Sequence, residues 1–268
     1  MAHSLKIAVL GHDATSKLLA GGLQAAGAEV VGYDLKVPKR PTTPMAETVA
    51  EAVADADLVL SLNSSIVALR MAESAVPALK PGALFADLNA GTPAFKKKLA
   101  ELFPSEVFLD VAVMGSIKEH GIATPLIVAG PSADALIAQL APLGLTLEMV
   151  SDEIGEAAAR ELTRSVLTKC IAGVVVDYMW AAEQLGVTDW AYDELQREFN
   201  TMNAETAKGY LRETVHHVKR REIEMLDVVE MLEGAEYHSL FVPQTQLVYN
   251  KIYHSIPVPF SEPEEDDE

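Results

Sequence analysis

The sequence predicts an α/β protein: a mostly parallel sheet wrapped by helices, followed by an all-helical region. Three observations predict it. Short apolar runs alternate with stretches of helical spacing through about residue 150. The first such pair closes a β-α-β unit around Gly11 and Asp34. Beyond Asp152 only helical periodicity remains. These divide the chain into 1–151, 152–254 and a tail, 255–268.

Leu5 to Leu10 is a buried strand that stops at Gly11. Ala14 to Ala26 has helical spacing at Leu18, Leu19, Leu23 and Ala26 and stops at Gly27. Glu29 to Tyr33 is the next strand. Asp34 follows Gly11 by 23 residues, close to the ~20 expected of an acid that bonds a ribose 2′-hydroxyl. The opening is therefore Rossmann-like, a dinucleotide-binding type of domain. Its glycine loop departs from G-x-G-x-x-G: the run is Gly11-His12-Asp13-Ala14-Thr15-Ser16. Gly11 serves the tight turn, Asp13 stands where the backbone should approach a pyrophosphate, and Ser16 is small enough for helix packing. Asp13 reads equally as the cap of the helix that begins at Ala14. His12 could bond a phosphate.

A proline-rich loop, Val37 to Pro44, leads to a helix over Met45 to Ala56 and a strand over Leu58 to Leu62. Asn63 and Ser64 then fall at a strand's C-terminal end, which faces the ligand crevice in open parallel sheets. Helix Ile66 to Leu79, strand Leu84 to Leu88 and helix Ala94 to Leu102 come next; Lys96, Lys97 and Lys98 read as a solvated face. Val107 to Val113 is a strand, Met114-Gly115-Ser116 opens a loop over Ile117 to Ala123, and short strands at Pro125 to Val128 and Leu145 to Met149 flank the helix Ser132 to Leu140.

One long helix is expected from Asp152 to about Leu185. Residues four apart share a helix face, so Glu161, Ser165 and Lys169 form a polar stripe with Arg164 and Thr168 beside it. Val187-Thr188-Asp189 is a break with Thr188 or Asp189 as N-cap. Helices over Trp190 to Asn203, Ala204 to Lys219, Arg220 to Glu233 and Leu240 to Tyr253 complete the ordered chain. Spacing puts His217, Arg221 and Glu224 on one helical face, fit to receive a carboxylate or phenolate and to share a proton.

Bulk composition narrows the function. The 268 residues are 49% hydrophobic and 22% charged, ordinary for a globular protein. Net charge is -18; six acids from Glu262 onward leave -12 elsewhere, which disfavours nucleic acid and anionic membranes. The tail reads as a solvated end. Cys170 excludes an internal disulfide and reads as a small buried hydrophobe. No stretch reads as a run of ~20 apolar residues, and a cytoplasmic setting is expected. No zinc, calcium or P-loop pattern is present, so no metal is expected.

The order of elements and several strings resemble the β-hydroxyacid dehydrogenase and 6-phosphogluconate dehydrogenase superfamily, within it a branch with a phosphogluconate-dehydrogenase-like C-terminal domain. The resemblance runs from Lys6 to Ile252. Val9-Leu10-Gly11 matches the glycine loop. Asp87-Leu88-Asn89-Ala90-Gly91-Thr92-Pro93 is similar to D-x-S-T-x-x-P, with Asn89 and Ala90 in place of the Ser-Thr pair. Asp110 to Ser116 is similar to D-A-P-V-S-G-G. Glu161 to Ser165 stands where the family carries K-x-x-N-N. His217 to Met225 resembles H-x-x-R-R-x-x-E-M.

The resemblance implies an NAD(P)-dependent oxidoreductase acting on a small hydroxy acid, ketone or imine. The cofactor would lie across Gly11 to Ser16, Asp34, Asn63 and Ser64. The substrate would meet Asn89, Met114, Gly115, Ser116, Arg164, Ser165, Arg221 and Glu224. Glu161 occupies the place of the family's lysine acid/base, with Lys169 or His217 in reserve. Lys169 lies ~12 Å along the helix from Glu161, so it does not replace the lysine directly. Asp34 favours NAD, while Lys36, Lys39 and Arg40 leave NADP open. A homodimer is implied, and the helical half is small for its apolar stripes. Because the second glycine and the lysine are both changed, a cofactor-independent lyase or isomerase on the same scaffold is the rival reading. A catalytically silent binding protein is a third.

Overall fold

The computed structural model describes residues 4–11, 13–35 and 43–261. The expectations placed on His12, Lys36, Lys39, Arg40 and the acidic tail from Glu262 onward lie outside the described residues. Two compact units divide at Val166/Leu167.

The first unit is a sheet covered by helices. Its strands are β1 (Lys6–Leu10), β2 (Glu29–Tyr33), β3 (Leu58–Ser61), β4 (Leu84–Asp87), β5 (Phe108–Val113), β6 (Leu126–Ala129) and β7 (Leu147–Ser151). Its helices are α1 (Ala14–Ala25), α2 (Val49–Val53), α3 (Ser65–Ala75), α4 (Pro93–Ala100), α5 (Ile117–His120) and α6 (Ala133–Leu140). The strand order is β2-β1-β3-β4-β5-β6-β7. All neighbours are parallel except β5 and β6. Strand alternation splits the core in two. Ile7, Val9, Leu58 and Leu60 pack with Leu19 and Leu23 of α1 and Leu136 of α6. Ala8, Leu10, Val59 and Phe85 pack with Val49, Met71 and Leu99. The expected α/β class holds.

Because β1 is flanked by β2 on one side and β3 on the other, the chain reverses direction across the sheet between β1 and β3. That places a crevice at their carboxyl ends.

Several local expectations are corrected. The helix expected over Met45–Ala56 is only Val49–Val53. Met45 instead bridges Gly32, and Thr48 caps α2 by accepting from the Glu51 amide at 3.1 Å. The segment Ile117–Ala123, expected as loop, contains α5 and a 3-10 turn. Lys96 is fully buried, so only Lys97 and Lys98 of that run are exposed.

α7 (Glu156–Gln184) begins in the first unit and ends in the second. The second unit continues with α8 (Thr188–Thr201), α9 (Ala204–His216), α10 (Val218–Gly234) and α11 (Val242–Tyr253). Thr188 is the first helical residue of α8, and Val187, not Thr188 or Asp189, occupies the cap position. Gly186, at φ +71°, makes the preceding turn. Asn203 and Thr206 form a capping box for α9.

Asp177 is buried on α7 and ties down the connection between α10 and α11. It accepts from the Tyr237 hydroxyl at 2.7 Å, the Ser239 hydroxyl at 2.5 Å and the Leu240 amide at 3.3 Å. Burial pushes its carboxyl up, but the bonds from Ser239, Tyr237 and the Leu240 and Phe241 amides outweigh it and hold the pKa below the ordinary value. Burial, reinforced by the bond to Asp177, pushes the Tyr237 hydroxyl up to about 12.

The second unit buries little else completely. Among its described residues only Ala182, Ala191 and Leu232 join Asp177 in that class. Leu167, Ile171, Val174, Trp180, Trp190 and Leu226 are exposed. Cys170, expected to be buried, is exposed with them. By length and composition α7 is apolar enough to cross a membrane, contrary to the sequence expectation. A helix awaiting apolar cover from another protein surface passes the same test.

Candidate functional site

The carboxyl ends of β1, β3, β4 and β5 carry Gly11, Asn63, Asn89 and Gly115-Ser116. Between them lies a cleft of about 430 Å³, lined in part by Asp13, Thr15, Asn63, Gly115, Ser116 and Lys118. It joins expected cofactor residues (Asp13, Asn63) to expected substrate residues (Gly115, Ser116). Gly11 is buried at φ +125°, and a Cβ there would overlap the Leu62 carbonyl oxygen. Only glycine fits this crossing of two strand ends. Its amide donates to the Tyr33 carbonyl at 2.8 Å, fixing the loop.

Asp13 caps α1. Its Oδ1 accepts from the Thr15 amide at 2.9 Å, the Ser16 amide at 2.8 Å and the Ser16 hydroxyl at 2.9 Å. Asp34, partly buried at the end of β2, and exposed Ser64, at the cap position of α3, are not among the residues lining the cleft. Neither is Met114, whose amide donates to the Pro125 carbonyl at 2.8 Å.

Beneath the cleft runs a buried polar network. Lys96, on the inward face of α4 with Leu99, reaches under the sheet ends. Its Nζ lies 2.7 Å from Asp87 Oδ2 and 3.1 Å from Asp110 Oδ1, and it donates to the Asp87 carbonyl at 2.8 Å. Asp110 Oδ2 accepts from the Gly155 and Ala158 amides at 3.1 and 3.0 Å, holding the first turn of α7. An acid at a helix N-terminus meets unpaired amides and the positive end of the dipole. Gly155, at φ +101°, packs too closely on Pro93 for a side chain to fit easily.

On the other side, Asn89 donates to Asp87 Oδ1 and, at 3.0 Å, to the Ser61 hydroxyl, while its Oδ1 accepts from the Asn63 amide. Asn89 is 2% exposed, so its amide is committed to the cleft wall rather than open to the cleft. Burial pushes the Asp87 carboxyl up despite the adjacent Lys96.

Sequence reasoning missed Lys96 because it sits in a run of three lysines. The available signal was the pair of acids inside apolar strands, Asp87 and Asp110, which require a buried cation.

The remaining candidates are spread along α7 and the second unit. Glu161 and Ser165 are partly buried in the first unit, and Arg164 is exposed there. Lys169 is exposed in the second. His217 is not inside a helix: the chain breaks there, between α9 and α10. Its Nε2 lies 3.2 Å from Glu213, and Glu224 lies 3.5 Å from Arg220. His217 is the cap residue of α10, its carbonyl accepting from the Arg221 amide at 3.0 Å, and Arg221 and Glu224 lie within that helix. Arg221 Nε is buried with no hydrogen-bond partner among the described residues. No cluster of potential metal ligands occurs among the described residues.

This architecture is similar to that of known proteins. Residues 182–252 match the domain of unknown function DUF1932. An uncharacterized 28.5 kDa protein of Methanothermus fervidus is 23% identical over 217 residues, 81% of this chain and 84% of that one. A conserved protein of unknown function, solved and described as structurally similar to 3-hydroxyacid dehydrogenases, is 24% identical. It aligns over 93% of this chain and 97% of its own, with a TM-score of 0.59. An imine reductase from Myxococcus stipitatus, solved with NADP+, is 14% identical and covers 93% of this chain and 94% of its own, with a TM-score of 0.78. Residues 182–252 are thus similar to DUF1932, and the chain has a Rossmann-like sheet followed in sequence by helices, the fold also seen in 3-hydroxyacid dehydrogenase-like proteins and imine reductases. The superfamily resemblance read in the sequence holds.

Proposed function

We propose that the protein is an NAD(P)-dependent oxidoreductase acting on a small hydroxy acid, ketone or imine. The observation that carries this reading is Gly11: a side chain is excluded where β1 and β3 part, and a cleft opens beside it at the switch point of the sheet. The NADP+ complex of the similarly folded imine reductase supports it. The chain's residues fit a dinucleotide at Gly11, at the Asn63 wall and at Asp34 on the end of β2. They do not fit it at Asp13, whose carboxylate holds the α1 amides a pyrophosphate would use.

When bound, the dinucleotide supplies or accepts the hydride. The chain's own part is positional and acid–base. Asn89 fixes the Asn63 wall, and Gly115 and Ser116 border the substrate end. Glu161 donates or accepts the proton in place of the family's lysine, with Lys169 or His217 in reserve. Arg164, Ser165, Arg221 and Glu224 are the further substrate contacts. Asp34 favours NAD. The exposed apolar side chains of the second unit meet a second copy of the chain in a homodimer.

Asp13 specifically favours a second reading, a cofactor-independent lyase or isomerase using Glu161, Lys169, His217 and Arg221.

Turnover separates the two. NADH or NADPH is incubated with panels of hydroxy acids, ketones and imines, and absorbance is followed. Dinucleotide-dependent turnover that falls about 10²-fold or more in Glu161→Gln supports the first reading. Turnover of a substrate without any dinucleotide supports the second.

A further inference from the structure

The two departures from the glycine fingerprint are not independent. The second glycine is replaced by Asp13 and the third by Ser16, and the structure joins them. Asp13 Oδ1 accepts from the Ser16 hydroxyl as well as from the Thr15 and Ser16 amides. Ser16 is fully buried, so its hydroxyl is held in place. Two unpaired amides of a helix N-terminus and one hydroxyl thus converge on a single carboxylate oxygen. Amides of this kind, with the positive end of the helix dipole behind them, are what a phosphate takes in a dinucleotide fold. Asp13 also lines the cleft.

We infer that Asp13 is an internal anion standing in for the ligand's pyrophosphate at the head of α1, with Ser16 as its clamp. This rests on the dinucleotide reading of the cleft. A dinucleotide must either displace the Asp13 carboxylate from its three donors or seat its own negative charge beside it. Asp13 is therefore the specificity-determining residue of the cleft. It selects against the phosphates of a dinucleotide and leaves uncharged parts of the ligand unaffected.

Capping chemistry supplies a clean test. Asn and Ser are as good N-caps as Asp, so Asp13→Asn and Asp13→Ser remove the charge while keeping α1 capped. Asp13→Gly also opens the seat. Kd values for NADH, NADPH and adenosine are measured by calorimetry on the full chain, with melting temperature as a check on folding. The expected result is dinucleotide binding tightened on the order of tenfold in Asp13→Asn and Asp13→Ser, with adenosine unchanged. Variants that bind a dinucleotide which the unaltered chain does not bind also support the inference, while showing that the natural ligand is not a dinucleotide. Dinucleotide affinity of the unaltered chain left within twofold, or weakened, by all three substitutions overturns the inference and leaves the dinucleotide reading standing. Absence of dinucleotide binding by every form overturns both.

Discussion

Replacing Lys96 by Met keeps the length and shape of the side chain and removes its charge. Lys96 is the cation facing two buried carboxylates, at 2.7 Å from Asp87 and 3.1 Å from Asp110. Without it, Asp110 retains the Gly155 and Ala158 amides, while Asp87 retains the Asn89 side-chain amide. Breaking a buried pair by removing one partner costs about 3–5 kcal/mol, a large part of the ~5–15 kcal/mol that stabilises a typical domain.

Part of that cost is avoided by protonating Asp87. Its carboxyl is already raised by burial, and removal of Lys96 raises it further. A group whose folded pKa lies above its unfolded value binds more protons when folded. Stability therefore falls as pH rises through the window from 3.8 to the raised value, by at most about 1.4 kcal/mol per pH unit. Lys96→Met should be markedly less stable than the unaltered chain at pH 8 and closer to it at pH 5. Trp180 and Trp190 both lie in the second unit, so tryptophan fluorescence does not report on this site directly. The assay is urea-dependent hydrogen exchange at the amides of β4 and β5. A loss under about 1 kcal/mol at pH 8, or a loss independent of pH, would refute the reasoning.

Gly11→Ala should destabilise the first unit by at least about 1–3 kcal/mol, the cost of an L-residue in a conformation glycine alone adopts freely. Overlap with the Leu62 carbonyl adds to it; chemical denaturation measures the loss. Asp177→Ala leaves the Tyr237 and Ser239 hydroxyls without their acceptor and should cost about 1–3 kcal/mol, read as a lowered tryptophan-fluorescence midpoint. Because the Asp177 pKa is depressed when folded, its stabilising contribution is present above pH 3.8 and is lost as pH falls through the depressed value. The difference between Asp177→Ala and the unaltered chain should therefore shrink below about pH 3.8. Homodimerisation through the second unit should appear as twice the chain mass by light scattering, and Trp180→Glu should shift the equilibrium to monomer.

The sheet was legible because buried parallel strands are short apolar runs with glycine or polar stops. Glu29–Tyr33 matches the expected strand at both ends, and β1, β3, β4 and β5 lie within a residue of theirs. Periodicity failed where a tertiary contact overrode it, as at Met45, drawn into a bridge with Gly32 instead of joining α2. The cleft was partly legible: Asp13 and Asn63 follow from their positions at strand ends, and Ser116 from the resemblance to the family string. Its support was not. Asn89 was assigned to substrate from the family string, whereas its amide is engaged in the wall. Lys96 could not be separated from Lys97 and Lys98 without knowing which face of α4 points inward. The boundary between the two helices, expected at Lys219/Arg220, falls at His217, because i, i+4 spacing alone does not locate a helix end.

Hydrogen exchange of the full chain with and without saturating NADPH or NADH tests the dinucleotide assignment of the cleft most directly. Ligand-dependent protection should be confined, within the first unit, to Asp13–Thr15, Leu62–Asn63 and Gly115–Lys118, which border the cleft, and to Asp34 at the end of β2. Protection elsewhere in that unit with none in these segments, or no protection by either dinucleotide, would contradict it.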